Sequence, residues 1–194
     1  MKYESLSAEL VERHSFSSSD IAFFISQFRE RKIKKRQQII QPDFQARHRV
    51  YIVEGAFKGY VLGKDGNERV VSLAIDNWWI TDPNSYFYQQ PATMFVEALE
   101  DSSILQLDFE REQFLKSYSP IYETYFRVAA ERGVAFKHRR LIASLTLTAE
   151  ERYEQFAKRY PAFLQRIPQY TIASYLGMTT QYLSRIRKQY TSIR

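Results

Sequence analysis

Between Gln169 and Lys188 the chain carries Thr180, Gln181, Ser184, Arg185, Arg187 and Lys188 at spacings that place them on the outside of one short helix. Hydroxyl, carboxamide and guanidinium groups are the ones that hydrogen-bond base edges and phosphates. The residues around them supply the means of holding such a face outward. Thr171 can cap a first helix containing Ile172, Ala173 and Leu176, and Gly177 follows where a helix end needs a positive φ. Thr179 or Thr180 can cap a second helix whose inward residues are Leu183 and Ile186. Ala173 is small where two helices must cross, and Ile172, Leu176 and Met178 complete a minimal core. This is the residue logic of a helix-turn-helix. An ordinary αα-hairpin is the alternative, and the polar outer face of the second helix counts against it.

Charge agrees with that reading. The 194 residues hold 28 Lys+Arg against 22 Asp+Glu, a net +6. Residues 1–130 balance to −2 and residues 131–194 to +8, so the surplus lies in the last third, where it either meets a polyanion or forms a basic face that only keeps the protein soluble. The absence of cysteine excludes disulfide frameworks, thiol switches, zinc ribbons and cysteine-held iron–sulfur clusters. No apolar run approaches the roughly 18 residues of a membrane span, and Met1 to Leu10 is too polar for a signal peptide. The expected address is the cytoplasm, with no membrane partner.

Three regions lie around this constellation. From Ala8 to Lys35 the spacing of Leu10, Phe16, Ile21, Phe24, Ile25 and Phe28 predicts short helices, closing on a basic run, Arg29–Arg36, that reads as a solvated face. From Gln38 to Leu107 the period falls to two, and Asp65-Gly66 between apolar runs predicts a hairpin. Several short strands at this spacing predict a sandwich or jelly-roll barrel. Helical spacing returns at Glu110, with one long helix from Ile121 to Leu145. Its residues Ile121, Tyr125, Val128, Ala135 and Ile142 suggest a dimer seam, interrupted by Arg132 and Arg139. Glu150, Glu151 and Glu154 open another helix, which runs to Tyr160 before Pro161.

A strand-rich first part, a long connecting helix and the run IASYLGMTTQYLSRIRK together resemble the Crp/Fnr family of bacterial transcription regulators, in particular its short-winged Bacteroidetes members. The run YIVEGAFKGYVLGKDGNERV is similar to the hairpin region of the cyclic-nucleotide-binding fold, and the resemblance spans roughly residues 20–190. It implies an α+β chain in three parts. Residues 1–118 would form a cyclic-nucleotide-binding-like jelly-roll sensor, 119–146 a dimerisation helix, and 147–194 a winged-type helix-turn-helix. It also implies a homodimer on double-stranded DNA, with RNA polymerase an open further partner. Base reading falls on Thr180, Gln181 and Arg185, the last able to pair bidentately with a guanine. Phosphate contacts fall on Thr171, Ser184, Arg187 and Lys188.

The effector pocket implied by the resemblance departs from the family pattern. The matching segment runs from Asn77 to Phe95, where Thr81-Asp82 replaces a Gly-Glu pair and Ala92 stands at the arginine position. No lysine or arginine occurs between Arg69 and Arg111, so a cyclic phosphate would lose charge-assisted bonds worth roughly 1.5–3 kcal/mol each. Cyclic AMP is therefore not expected as a ligand. Trp79, Thr81, Asp82, Tyr86, Tyr88, Ala92 and Thr93 either surround an uncharged effector or, with no ligand at all, belong to a filled barrel.

His14, His48 and His138 lie in three separate regions, which counts against a cupin-like metalloenzyme. No phosphate-binding glycine loop or nucleophilic triad is legible. The chain is expected to be no enzyme and to carry no metal or cofactor. A protein-interaction module that does not read DNA is the leading rival.

Overall fold

A computed structural model describes residues 3–192. Two helices come first, α1 (Glu4–His14) and α2 (Ser18–Ser26). Ser17 starts the second by accepting from the Asp20 N–H at 3.1 Å, while the Asp20 carboxylate accepts from the Ser17 N–H at 3.0 Å. Strands β1 (Arg29–Ile33), β2 (Gln38–Ile40), β3 (His48–Glu54), β4 (Ala56–Leu62), β5 (Glu68–Ile75) and β6 (Trp79–Ile80) follow. After a short helix α3 (Pro83–Tyr88) come β7 (Phe95–Ala98) and β8 (Ser102–Asp108). The strands form two four-stranded antiparallel sheets, ordered β1-β8-β3-β6 and β2-β7-β4-β5. At the β4–β5 turn Gly66 takes φ 76°, as the Asp65-Gly66 signal requires.

Alternation within the strands separates two environments. Val50, Ile52, Phe57, Val96 and Ile104 point between the sheets and form the barrel core. Tyr51, Leu105 and Leu107 point the other way, beneath α1, α2, α4 (Phe109–Tyr118) and the start of α5 (Pro120–Thr146). The chain ends in α6 (Ala149–Arg159), α7 (Pro161–Arg166), α8 (Gln169–Leu176) and α9 (Thr180–Ser192). The expected α+β class is what the chain adopts. Among the described residues no strand follows β8, so the terminal motif consists here of helices alone.

Two readings of the sequence require correction. The basic run 29–36 does not close a helix; Arg29–Ile33 is strand β1, at the edge of its sheet. Charged side chains suit an edge strand because they discourage pairing with another chain. The stripe Ile121, Tyr125 and Val128 does not face outward either. Tyr125 is buried against the first sheet, donated to by the Trp79 indole N–H at 3.1 Å, and Ile121 packs on the same cluster. Farther along α5 the exposed apolar residues are Val134, Leu141, Ile142 and Leu145. With His138, residues 134, 141 and 145 recur at i, i+4, i+7 and i+11, one line along the helix.

A candidate nucleic-acid interface

The α8–α9 pair is built by local chemistry. Gly177, at φ 71°, closes α8, its N–H donating to the Ser174 carbonyl at 3.1 Å. Thr179 then starts α9, its Oγ1 accepting from the Tyr182 N–H at 3.2 Å. Ile172, Ala173, Leu183 and Ile186 are buried between the helices and α6. Thr180, Gln181, Arg185 and Lys188 are left exposed. The Arg185 guanidinium lies 4.6 Å from the ring centroid of Tyr182, whose hydroxyl donates to Glu150. That stacking fixes the stem of the arginine while leaving it on the outside.

The other assigned phosphate groups divide. Ser184 is half-buried, its hydroxyl 3.5 Å from the Gln169 amide oxygen, and Arg187 is half-buried on the flank next to Leu183. Thr171 is a correction. It neither caps α8, whose N-cap is Pro168, nor reaches the surface, for it is 0% exposed and its hydroxyl has no partner among the described residues. It sits in the third position of the helix, on the face turned into the body.

What lies beneath that face was not legible in the sequence. The outer side of the second sheet, with Ala56, Tyr60, Val70, Leu73 and Ile75, shares one apolar core with Phe156, Phe163, Ile172, Ala173 and Tyr175 of the terminal helices. Polar bonds fix the register of this docking. Ser174 Oγ accepts from the Val70 N–H at 3.0 Å and donates to the Glu68 carbonyl at 2.9 Å. Arg140 on α5 donates to the carbonyls of Val71 at 2.6 Å, Val70 at 3.2 Å and Tyr175 at 2.9 Å. Arg166 bridges Asp76, at 2.5 Å, and Glu100. Lys58, only 3% exposed, is held by Glu68 at 2.5 Å and Glu97 at 3.4 Å. Burial pulls its pKa down, and the two carboxylates more than offset that, so it remains cationic. Trp78 adds edge contacts to Phe136 and Phe163, with centroids at 5.4 and 5.2 Å.

The seven residues assigned to an effector pocket do not converge, which is a second correction. Trp79 and Tyr86 lie outside the first sheet: Trp79 packs on Tyr51, and Tyr86 donates to the buried Glu112 at 2.9 Å. Tyr88 is 75% exposed and Thr93 is exposed, whereas Ala92 lies in the barrel core. Thr81 donates to the His48 carbonyl at 3.0 Å. Asp82 is used as a cap: buried, it accepts from the N–H groups of Asn84, Ser85 and Thr93 at 3.0, 3.3 and 2.7 Å and from the Thr93 hydroxyl at 3.1 Å. The physical reason is that the seven are spread over β6, α3 and the loops around them, which turn Trp79 toward the helices and Ala92 into the barrel. One cation does approach the segment from elsewhere. Lys137 on α5 has its pKa lowered by partial burial and drawn back by Asp82.

Among the described residues no group of three or more His, Asp or Glu side chains could hold a metal ion, and no helix is long and apolar enough to cross a membrane. Two antiparallel sheets lead through a long helix to a helix-turn-helix. Solved structures of that fold resemble the chain along most of its length. FixK2 from Bradyrhizobium japonicum matches with a TM-score of 0.74 at 17% identity, covering 85% of this chain and 85% of its own. The c-di-GMP responsive global regulator CLP from Xanthomonas campestris matches with a TM-score of 0.69 at 15% identity, covering 91% of this chain and 92% of its own. Thermus thermophilus catabolite activator protein gives a TM-score of 0.59 at 17% identity, with 92% of this chain and 85% of its own covered. No family model and no curated protein matches the sequence. At such identities the likeness establishes the fold.

Proposed function

We propose that the chain is a sequence-specific DNA-binding transcription regulator that works as a homodimer. The observation that carries this is the α9 face: Thr180, Gln181, Arg185 and Lys188 stay exposed on a helix whose other side is fixed by Leu183 and Ile186. Arg185 with its two neighbours reads base edges, and Lys188, with Ser184 and Arg187 at the flank, meets phosphates. Residues 1–118 serve as the sensor, 119–146 as the dimer helix and 147–194 as the reader. The seam is the exposed line Val134, His138, Leu141 and Leu145, which a second copy would cover. Two readers so joined would address half-sites about one helical turn apart, roughly 34–36 Å.

The sensor is proposed not to respond to cyclic AMP. Asp82 is already satisfied by four hydrogen bonds, and Ala92 is packed into the barrel. The decisive experiment is a titration of DNA at several salt concentrations, followed by selection of bound sequences from random duplexes. Linear decline of log K with log salt and an enriched palindromic motif are the expected results. Salt-independent or absent binding would end the DNA reading.

A further inference from the structure

A cavity of about 140 Å³ lies between the two sheets, where β2 gives way to β3. Ile40, Ala46 and Val50 form its apolar wall, while Gln106, His48 and Arg47 provide its polar one. Gln106 is the informative residue. It points inward from β8, is only 6% exposed, and among the described residues its carboxamide makes no hydrogen bond. That amide lines the cavity and is not one of the polar groups sealed from water without a partner, so its donors and acceptor stay open to whatever fills the space.

The charge around the cavity is lopsided. Arg29 stands directly across the ladder from Gln106, and Arg31 stands across from the inward-facing Ile104. Together with Arg47 these guanidiniums act on His48, whose pKa is lowered first by burial and then by the three cations; Asp108, 2.8 Å from its Nε2, opposes them. Arg29, Arg31 and Arg47 form no salt bridge among the described residues. Asp108 is thus outnumbered by cations, and one of them, Arg47, lines the half-apolar cavity together with the amide.

We propose that this cavity is a binding site for a short-chain carboxylate. Its charged end meets Arg47 and His48, Gln106 supplies a hydrogen bond within, and its hydrocarbon part rests on Ile40, Ala46 and Val50. The volume accommodates on the order of five non-hydrogen atoms, which sets the ligand size. The site stands apart from α9, so it holds whether or not the chain reads DNA.

The test is calorimetric titration of the full chain with butyrate, with succinate and with inorganic phosphate in low-chloride buffer. Saturable binding of a carboxylate, weakened by roughly tenfold or more in both Gln106→Leu and Arg47→Ala, is the expected result. Arg47 is exposed on a loop, so its variant reports on the site even if the core substitution perturbs folding. Phosphate bound as tightly as the carboxylates overturns the assignment, as does binding unchanged in Arg47→Ala. Absence of saturable heat up to about 20 mM, an affinity below which cellular occupancy fails, overturns it too.

Discussion

The Arg140 guanidinium carbon lies 4.1 Å from the ring centroid of Tyr175, joining the long helix α5 to α8. The same arginine donates to two carbonyls of β5 and one of α8. Three elements distant in sequence thus meet at one planar cation, which ties α8 to the second sheet.

Arg140→Ala is expected to destabilise the chain by about 2 kcal/mol, through hydrogen bonds to a charged group that are lost together. Hydrogen exchange should localise the effect to β5 and α8. Arg140→Lys should recover little, because an ammonium cannot span three acceptors as the guanidinium fork does. Unchanged protection in α8 would show that the apolar contacts alone hold the docking.

Alkaline pH should loosen the same junction. Burial pushes the Tyr175 hydroxyl up to about 12 from an ordinary 10.0, despite the opposing pull of Arg140. The folded state thus keeps its proton where the unfolded chain loses it. The stabilising contribution is complete below pH 10 and is lost as pH rises toward 12, amounting to roughly 3 kcal/mol. Tyr51, Tyr86 and Tyr125 are raised in the same direction by burial and steepen the fall. Urea midpoints measured across this range should decline, and less steeply in Tyr175→Phe.

For DNA, Arg185→Ala should cost roughly 1–3 kcal/mol against the selected sequence and much less against random duplex. Fluorescence anisotropy on both duplexes separates the two. Equal losses would reduce Arg185 to a phosphate contact.

Dimerisation should fail when charge enters the exposed line on α5. Leu141 is 54% exposed in the protomer, so Leu141→Glu should leave its fold intact and weaken association by about tenfold or more. Sedimentation velocity at micromolar concentration reads this directly. A wild-type chain that sediments as a monomer would refute the seam.

The sequence by itself determined whatever is encoded over a few residues. Gly177 and Thr179 fix the turn and cap of the α8–α9 pair, Leu183 and Ile186 set its inward face, and Asp65-Gly66 sets a hairpin, because φ preference and helical spacing are local properties. The tertiary structure alone decided what covers each face. Arg29–Ile33 became an edge strand because β8 offered it a ladder, and Thr171 and Tyr125 were buried because α8 and α5 each found a sheet to rest on. Trp79 left the expected pocket because a two-residue period cannot say which face of a sheet will be roofed by helices, and Tyr86 because α3 turns it onto Glu112. The meeting of Arg140 with β5, about 70 residues earlier in the chain, is a product of packing, and no local pattern announces it.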